Sequence, residues 1–281
     1  MYDCHIHSEF SADSIEKLEN IVLSAINKGL LGITITDHID YDSFGNYKII
    51  RNSLDVSNKE KINLIFNHIH KISELKYKYK DKIDIYTGFE VGASNGDLSK
   101  IVVQETLDIK ELDFVILSSH KVGEEKNSAL FMGCDYFVDT KYEAYKKYLL
   151  DVLKNVKLFN DFSVYGHLDY ITRYCNYENK DLEVDLYIDI IDEILNVIIS
   201  KGSGIEVNTS AIRYGRDDFY PQKDILKRYF NLGGEIVTVG SDSHKSEYVG
   251  AYFNQAKDYL KDCGFEYATY FENRKPKFYK L

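Results

Sequence analysis

The chain alternates between short segments rich in β-branched and aromatic residues and longer segments whose apolar positions recur at helical spacing. Seven of the short segments have the composition of β-strands. They are 2–6 (YDCHI), 32–38 (GITITDH), 83–90 (IDIYTGFE), 113–120 (DFVILSSH), 162–169 (FSVYGHLD), 204–210 (GIEVNTS) and 235–244 (EIVTVGSDSH). A predicted helix separates most neighbouring strands, which is typical of a parallel sheet with helical crossovers.

The helical segments are marked by apolar stripes and by residues that begin or end helices. Ser14 is predicted to cap a first helix whose apolar face includes Ile15 and Leu18 and which ends at Gly29. Pro221 is predicted to begin a short helix before the last strand. The other main predicted helices cover 61–80, 143–156 and 186–199.

No low-complexity segment, composition break or Pro- or Ser-rich linker divides the 281 residues, so we expect one domain spanning 1–281. Seven strand–helix units in one domain predict an α/β fold, a closed or nearly closed barrel resembling the (β/α)8 type. In such a barrel the functional groups gather at the C-terminal ends of the strands. An open doubly wound sheet is the alternative.

Six of the eight histidines lie at or just past the end of a predicted strand. They are His5, His7, His38, His120, His167 and His244. Side chains at i and i+2 of a strand point to the same side, so His5 and His7 can face the barrel mouth together and bind one metal ion. A lone histidine at a strand end is more often a hydrogen-bonded loop residue, but six on one rim have no obvious structural need. His68 and His70, in the long helix, are predicted to be surface residues.

Three carboxylates accompany the histidines: Asp13 follows the first strand, Glu90 ends the third and Asp242 ends the last. Imidazole and carboxylate ligands suit Zn, Fe and Mn. Nine ligands are too many for one ion, so we expect two to three divalent metal ions, with Glu90 and Asp242 as candidate bridging ligands. Cys4 alternates with His5 and is expected to point away from the site, into the core.

The formal net charge of −10 argues against charge-driven binding to nucleic acid or to an anionic membrane. The four cysteines are scattered and form no CxxC pair, which predicts reduced thiols rather than a thiolate zinc site or a disulfide framework. The N-terminus lacks the pattern of a signal peptide, and no apolar run is long enough to span a membrane. These features predict a cytoplasmic protein.

Seven motifs resemble, in order and over almost the whole chain, those of the polymerase-and-histidinol-phosphatase (PHP) superfamily, and within it the monofunctional histidinol-phosphate phosphatases. The motifs are 3–13 (DCHIHSEFSAD), 35–38 (ITDH), 88–92 (GFEVG), 118–122 (SSHKV), 165–170 (YGHLDY), 205–213 (IEVNTSAIR) and 240–244 (GSDSH). The resemblance implies a distorted (β/α)7 TIM-like barrel with a trinuclear metal site. It assigns one ion to His5, His7, Glu90 and Asp242, a second to Glu90, His120 and His167, and a third to Asp13, His38 and His244.

The resemblance also implies that two arginines, Arg173 and Arg213, bind the substrate phosphate. Both lie just beyond strand ends, from which a bidentate contact could reach a phosphate. The alternative for each is a surface arginine paired with a carboxylate. Lys121 and Lys245, each next to a candidate ligand, are weaker candidates for the same role.

A hydroxide that bridges two metal ions is the expected nucleophile, because coordination lowers the pKa of bound water to about 7. The residues expected to hold these ions are His5, His7, Glu90 and Asp242. Protonation would help the alkoxide leaving group to depart. Asp37, Asp40 and Asp169 are candidate acids, and the sequence does not choose among them.

The expected substrate is a small phosphomonoester, L-histidinol phosphate in histidine biosynthesis, because the chain has the length of a barrel without an attached polymerase segment. A nucleotide, an oligonucleotide end or a phosphotyrosine protein is the alternative substrate for the same chemistry. A non-catalytic domain that keeps the fold for assembly or regulation is a further alternative. It is disfavoured because all nine metal ligands are present. The sequence leaves the oligomeric state open.

Overall fold

The computed structural model describes residues 1–41, 47–49, 58–93, 97–122, 130–131, 140–175 and 177–281. The strands are β1 (Tyr2–Ile6), β2 (Gly32–Tyr41), β3 (Tyr47–Ile49), β4 (Asp84–Gly92), β5 (Phe114–Ser118), β6 (Lys121–Val122), β7 (Leu130–Phe131), β8 (Val164–Tyr165), β9 (Gly204–Asn208), β10 (Val237–Gly240), β11 (Tyr267–Glu272) and β12 (Lys275–Lys280). The α-helices are α1 (Leu18–Asn27), α2 (Asn58–Tyr79), α3 (Asp97–Leu107), α4 (Lys141–Leu158), α5 (Ile171–Tyr174), α6 (Ile188–Ser200), α7 (Ser210–Arg213), α8 (Lys223–Asn231) and α9 (Phe253–Asp262).

Seven parallel strands lie side by side in the order β1–β2–β4–β5–β8–β9–β10, which is also their order along the chain. After β10 the chain returns to β1, where Ile6 forms a parallel bridge with Ser243 and the backbone N–H of Asp242 donates to the carbonyl of His5 at 2.8 Å. The sheet is therefore a nearly closed barrel, and the predicted β/α barrel is confirmed. The open doubly wound alternative is wrong, because that topology needs a reversal of strand order that is absent from this sheet.

Amphipathic helices cover the outside of the barrel wall. In α6 the buried positions Ile191, Ile194 and Ile198 recur at helical spacing, and α6 packs against α4 and β9. In α1, Leu18 and Val22 lie on the buried face. Burying a side chain of this size stabilises the fold by roughly 1.5–3 kcal/mol relative to leaving it exposed. This packing gives the strand ends a rigid frame.

A C-terminal hairpin, β11 with β12, is an element that the sequence interpretation did not include. It packs against the N-terminal ends of barrel strands: the ring of Tyr270 stacks on Tyr2 with centroids 4.0 Å apart, and the backbone N–H of Asn273 donates to Asp113 Oδ1 at 2.8 Å. Cys4 is buried, with its Sγ atom 3.8 Å from the carbonyl oxygen of Thr269. The prediction that Cys4 is a core residue is therefore confirmed.

Two predicted helix starts are wrong. The hydroxyl of Ser14 donates to the carbonyl of His244 at 3.0 Å, so Ser14 ties its loop to the barrel and α1 begins only at Leu18. Ile15, which was expected on the buried face, is 74% exposed. Helix α8 begins at Lys223, after Pro221. The other predicted helices agree with α2, α4 and α6 to within about three residues at each end.

The described cysteines, Cys4, Cys175 and Cys263, are buried and free. Cys134 lies outside the described residues. None of the helices in the described part of the chain has both the length and the apolar character needed to cross a membrane.

Candidate metal centre and phosphate pocket

The C-terminal ends of the barrel strands bring the nine predicted ligands to one mouth, with the buried Glu90 at its centre. The Oε2 atom of Glu90 lies 3.2 Å from Nε2 of His5 and 3.0 Å from Nδ1 of His38. Its Oε1 atom lies 3.0 Å from Nε2 of His120 and 2.9 Å from Nε2 of His167. The two oxygens therefore face different groups of imidazoles, which is the arrangement that a bridging ligand requires.

Asp242 is the second carboxylate beside the first pair of histidines. Its Oδ1 atom lies 3.3 Å from Nε2 of His7 and 3.9 Å from Nε2 of His5. The Nε2 atoms of His5 and His7 are 3.0 Å apart. Donor atoms of His5, His7 and Glu90 all lie within 4.8 Å of one another, close enough to share one cation.

Asp13, His38 and His244 form the outer part of the cluster. The Oδ2 atom of Asp13 lies 3.0 Å from Nε2 of His244 and 3.4 Å from Nε2 of His38. The ring of His7 stacks on both His38 and His244 with centroids 4.2 Å apart in each pair. The side chain of Asp13 is 55% exposed, so this group faces the solvent.

Two of the candidate ligands have left-handed backbone conformations: φ is 51° at Asp242 and 22° at His167. Non-glycine residues rarely adopt such angles, and they keep them only where the surroundings hold them in place. At Asp242 the backbone N–H donates to the carbonyl of His5 and the carbonyl accepts from Arg213, both at 2.8 Å. One hydrogen bond from its own N–H and one from the Arg213 side chain thus hold the backbone of Asp242 in its strained conformation.

Glu206 is a buried residue of the site that the sequence interpretation missed. Its Oε1 atom lies 2.5 Å from Nδ1 of His5, and its Oε2 atom accepts the backbone N–H of His167 at 3.0 Å. A carboxylate on the second nitrogen of a metal-binding histidine fixes the ring and raises its basicity. Gly240 makes room for this contact, because a Cβ there would lie 2.3 Å from Glu206 Oε1. The available signal was the alternation within β9, which puts Glu206 on the same face as Asn208.

His68 is not a surface residue, so that prediction is wrong, whereas His70 is exposed as predicted. The Nε2 atom of His68 lies 2.9 Å from Asp37 Oδ2, with both side chains fully buried. Asp37 Oδ1 accepts a hydrogen bond from the hydroxyl of Ser11 at 2.7 Å, and Ser11 Oγ lies 3.2 Å from Nδ1 of His7. Helical spacing shows that His68 and His70 lie on different faces but not which face is buried.

The three candidate acids for the leaving group are Asp37, Asp40 and Asp169. None of them is among the residues that line the cavity above the ligands. Asp37 contacts His68, and Oδ1 of Asp40 lies 3.0 Å from Nδ1 of His120. Asp169 is buried, and burial raises the pKa of its carboxyl group to about 7. Asp37 and Asp40 therefore hold histidines in place.

The charges in the cluster favour cations. Although burial disfavours a charged imidazole, Glu206 and Glu90 raise the pKa of His5 well above its ordinary value. Burial opposes protonation of His120 as well, but its carboxylate neighbours raise its pKa to about 10. Burial and the neighbouring imidazoles lower the pKa of His7 to about 4. Bound protons would therefore compete with a divalent cation for these nitrogen donors, and the nitrogen and oxygen donors fit zinc, iron or manganese.

A cavity of about 330 Å³ opens above the ligands, and both predicted arginines line it. The guanidinium of Arg213 donates to the backbone carbonyls of Ser241 and Asp242, each at 2.8 Å. The guanidinium of Arg173 lies over the ring of Tyr214, 3.5 Å from its centroid. Within the described residues neither arginine forms an ion pair with a carboxylate, so the alternative of a paired surface arginine is not what the structure contains.

The sequence is similar to those of known proteins. The PHP domain family matches residues 3–210. The chain is 34% identical over 272 residues to the histidinol-phosphatase of Lactococcus lactis, an alignment that covers 95% of this chain and 93% of the relative. It is 30% identical over 286 residues to a probable histidinol-phosphatase of Clostridium acetobutylicum, covering 99% of each.

The fold is also similar to that of solved structures. The crystal structure of histidinol phosphate phosphatase from Lactococcus lactis, in complex with zinc, L-histidinol and phosphate, matches with a TM-score of 0.83 and 30% identity over 98% of each chain. A histidinol phosphatase structure from Listeria monocytogenes, described as putative, matches with a TM-score of 0.74 over 91% of this chain and 99% of the other. At 20% identity, that second likeness concerns the fold alone.

The fold and the site define a class of protein: a nearly closed parallel β/α barrel whose strand ends carry a metal-binding cluster of histidines and carboxylates. Together with the match over 3–210, this places the chain in the PHP domain family.

Proposed function

We propose that this chain is a histidinol-phosphatase, a metal-dependent phosphoric monoester hydrolase that converts L-histidinol phosphate to L-histidinol and phosphate in histidine biosynthesis. The observation that carries the proposal is the convergence of imidazoles and carboxylates on Glu90 beneath two arginines, Arg173 and Arg213, that line one cavity. The histidinol-phosphatase relatives, aligned over nearly the whole chain, support the choice of substrate. Two to three divalent ions are the proposed cofactors.

The proposed metal ligands fall into three sets, and the first two of these share Glu90. They are His5, His7, Glu90 and Asp242; Glu90, His120 and His167; and Asp13, His38 and His244. Zinc is the metal bound in the structure of the Lactococcus relative, and the donor set is also compatible with iron and manganese. When bound, such ions act as Lewis acids on phosphoryl oxygens and lower the pKa of a coordinated water to about 7, which supplies the nucleophile.

The side chains around the cavity bind and orient the phosphate. Arg213 is held by two backbone carbonyls and Arg173 by aromatic rings, so neither guanidinium is neutralised by a nearby carboxylate. Planar guanidinium groups match the oxygens of a phosphate and stabilise negative charge that develops on them. Lys245 also lines the cavity and adds a positive charge at the mouth. The side chain of Lys121 lies outside the described residues.

Glu206 and Asp40 keep the ligands in position. Glu206 accepts from Nδ1 of His5, and Asp40 lies on Nδ1 of His120, so each leaves the opposite nitrogen directed at Glu90. Fixed ligands need no reorganisation during the reaction, which is how a preorganised site lowers the barrier. The tautomer that binds a metal through Nε2 carries its proton on Nδ1, where these carboxylates lie.

The alternative substrates have less support. Metal-dependent tyrosine phosphatases from Bacillus subtilis and Streptococcus pneumoniae match with a TM-score of 0.50 at 12% identity, which concerns the fold alone. The net charge of −10 disfavours a nucleic-acid substrate. A biosynthetic enzyme with free buried thiols fits a cytoplasmic location, which is part of this proposal.

The proposal is tested by phosphate release from histidinol phosphate, compared with nucleoside monophosphates, phosphotyrosine and p-nitrophenyl phosphate, alongside elemental mass spectrometry of the purified protein. Two to three bound metals with a strong preference for histidinol phosphate would support it. A preference for another phosphomonoester would support metal-dependent phosphomonoester hydrolysis but contradict histidinol phosphate as the substrate. Protein that stays inactive after zinc, iron or manganese is added back would overturn the site.

A further inference from the structure

Arg173 is held almost entirely by tyrosine rings. Its guanidinium carbon lies 3.5 Å from the ring centroid of Tyr214, 5.0 Å from that of Tyr174 and 5.3 Å from that of Tyr170. Its Nη1 atom also donates to the hydroxyl of Tyr170. We call Tyr170, Tyr174 and Tyr214 the tyrosine clamp.

Two arginines outside the candidate site, Arg216 and Arg228, are held differently. Arg216 pairs with Asp181 at 3.3 Å, and Arg228 pairs with Asp192 at 2.5 Å. These pairs are typical of arginines whose charge is balanced by a carboxylate. Within the described part of the chain, Arg173 has no such counter-ion.

The clamp is also fixed to the metal centre. The ring of Tyr170 is buried and stacks on His167, with centroids 4.1 Å apart at 27°. His167 in turn lies 2.9 Å from Glu90. A chain of ring contacts therefore connects the guanidinium of Arg173 to the group of side chains proposed to hold a metal. By contrast, Tyr214 is 48% exposed, although large aromatic side chains normally bury most of their surface.

We propose that the tyrosine clamp positions Arg173 for the substrate phosphate while leaving its positive charge unneutralised. Ring faces attract a guanidinium through their quadrupole and carry no net charge, so they hold the cation without competing with the phosphate. A carboxylate in the same place would fix the side chain equally well but would cancel its charge. Tyr214 and Tyr174 are thus positioning residues, and the proposal rests on the phosphate-binding role proposed for Arg173.

Inorganic phosphate is the probe, and its affinity for the metal-loaded protein is measured by calorimetry, so no turnover is needed. Losing a ring that lies over a partly buried cation is expected to weaken phosphate binding in Tyr214→Leu by about 5- to 30-fold. Tyr214→Phe keeps the ring face and is expected to stay within about twofold of the wild type. Tyr267→Leu is the matched control: Tyr267 is a similarly exposed tyrosine on β11, and its replacement should leave phosphate affinity unchanged.

A double-mutant cycle that combines Tyr214→Leu with Arg173→Leu shows whether Tyr214 affects phosphate binding through Arg173 or directly. If Tyr214 acts through Arg173, Tyr214→Leu will weaken phosphate binding no further in the Arg173→Leu background, and metal content will not change in any of these variants. A full additional loss in that background would mean that Tyr214 binds phosphate or substrate by itself, and would overturn the clamp. Wild-type affinity in Tyr214→Leu, or no phosphate binding by the wild type, would overturn it as well.

The tyrosine clamp and the proposed substrate can be tested separately. If the wild type releases no phosphate from histidinol phosphate but binds inorganic phosphate with the expected cycle, then the clamp stands and the proposed substrate is wrong. If histidinol phosphate is hydrolysed and Tyr214→Leu leaves its KM unchanged, the clamp is wrong and the proposed function stands. If the tyrosine clamp positions Arg173, Tyr214→Leu is expected to raise KM by more than it lowers kcat.

Discussion

Nδ1 of His5 lies 2.5 Å from Oε1 of Glu206, and both side chains are completely enclosed by protein. The two residues are 201 positions apart, on the first and sixth strands of the barrel sheet. This contact directs Nε2 of His5 toward Glu90, so the orientation of one candidate ligand depends on a residue outside the proposed ligand sets.

Replacing Glu206 by Gln is therefore expected to weaken metal binding. The change keeps the volume but removes the charge that fixes the His5 ring, and losses of this kind are about 10- to 100-fold in metal affinity. Titration of metal-depleted protein with zinc, followed by activity, measures the effect. Glu235→Gln is the control, because Glu235 is exposed and lies just before β10, away from the C-terminal strand ends; its metal affinity should equal that of the wild type. Equal affinity in the two variants would show that Glu206 does not orient His5.

Replacing His5 or Asp242 by Ala is expected to abolish detectable turnover and to reduce the amount of bound metal. Each change removes a donor atom from the group in which His5, His7, Glu90 and Asp242 converge. Steady-state kinetics and elemental mass spectrometry on the same samples give both readouts. Unchanged activity in either variant would contradict the ligand assignment.

Replacing His68 by Leu is expected to lower the free energy of unfolding by about 1–3 kcal/mol, because the buried carboxylate of Asp37 loses its contact with Nε2 of His68 while its hydrogen bonds from Ser8 and Ser11 remain. Denaturant unfolding measures the change. His70→Leu is the matched control in the same helix, and at an exposed position it should fall within about 0.5 kcal/mol of the wild type. The double variant Asp37→Asn with His68→Leu is expected to recover part of the loss; if it recovers none, the pair is not the cause.

Replacing Arg213 by Ala is expected to lower kcat/KM by about 10- to 100-fold, mainly through a higher KM, because charge-assisted hydrogen bonds to phosphate are lost. Arg213→Lys should restore little of the lost kcat/KM, since a lysine cannot make the paired contacts with the carbonyls of Ser241 and Asp242. Arg228→Ala is the control: it removes the ion pair between Arg228 and Asp192 on the outside of the barrel and should leave kcat/KM unchanged. Wild-type kinetics in Arg213→Ala would remove it from the phosphate pocket.

Metal binding is expected to release protons near neutral pH and to become tighter as the pH rises. The pKa of His120 is about 10 and that of His5 is well above its ordinary value, so both imidazoles carry protons at pH 7 that a metal must displace. His7, with a pKa of about 4, is already neutral and contributes no proton. Calorimetric titration of metal-depleted protein with zinc in buffers of different ionisation enthalpy counts the protons. Zero release, or affinity that falls from pH 6 to pH 8, would contradict this assignment.

The sequence by itself determined the alternation of strands and helices, because hydrophobic periodicity is a local property of the chain. It also located the candidate metal ligands, since strand ends such as those at His38 and Glu90 can be read from local pattern, and parallel strands bring their C-terminal ends to one rim. The i, i+2 spacing of His5 and His7 needed no tertiary information to place both imidazoles on one face.

Only the tertiary structure decided what supports those ligands. Glu206 lies beside His5, and His68 beside Asp37, because packing brings distant segments together, and no local pattern encodes such a contact. Burial of His68 depends on which face of its helix meets the barrel, a choice that helical spacing leaves open. The unneutralised charge of Arg173 is likewise a property of its neighbours in space, because a guanidinium pairs with whatever group the folded chain places beside it.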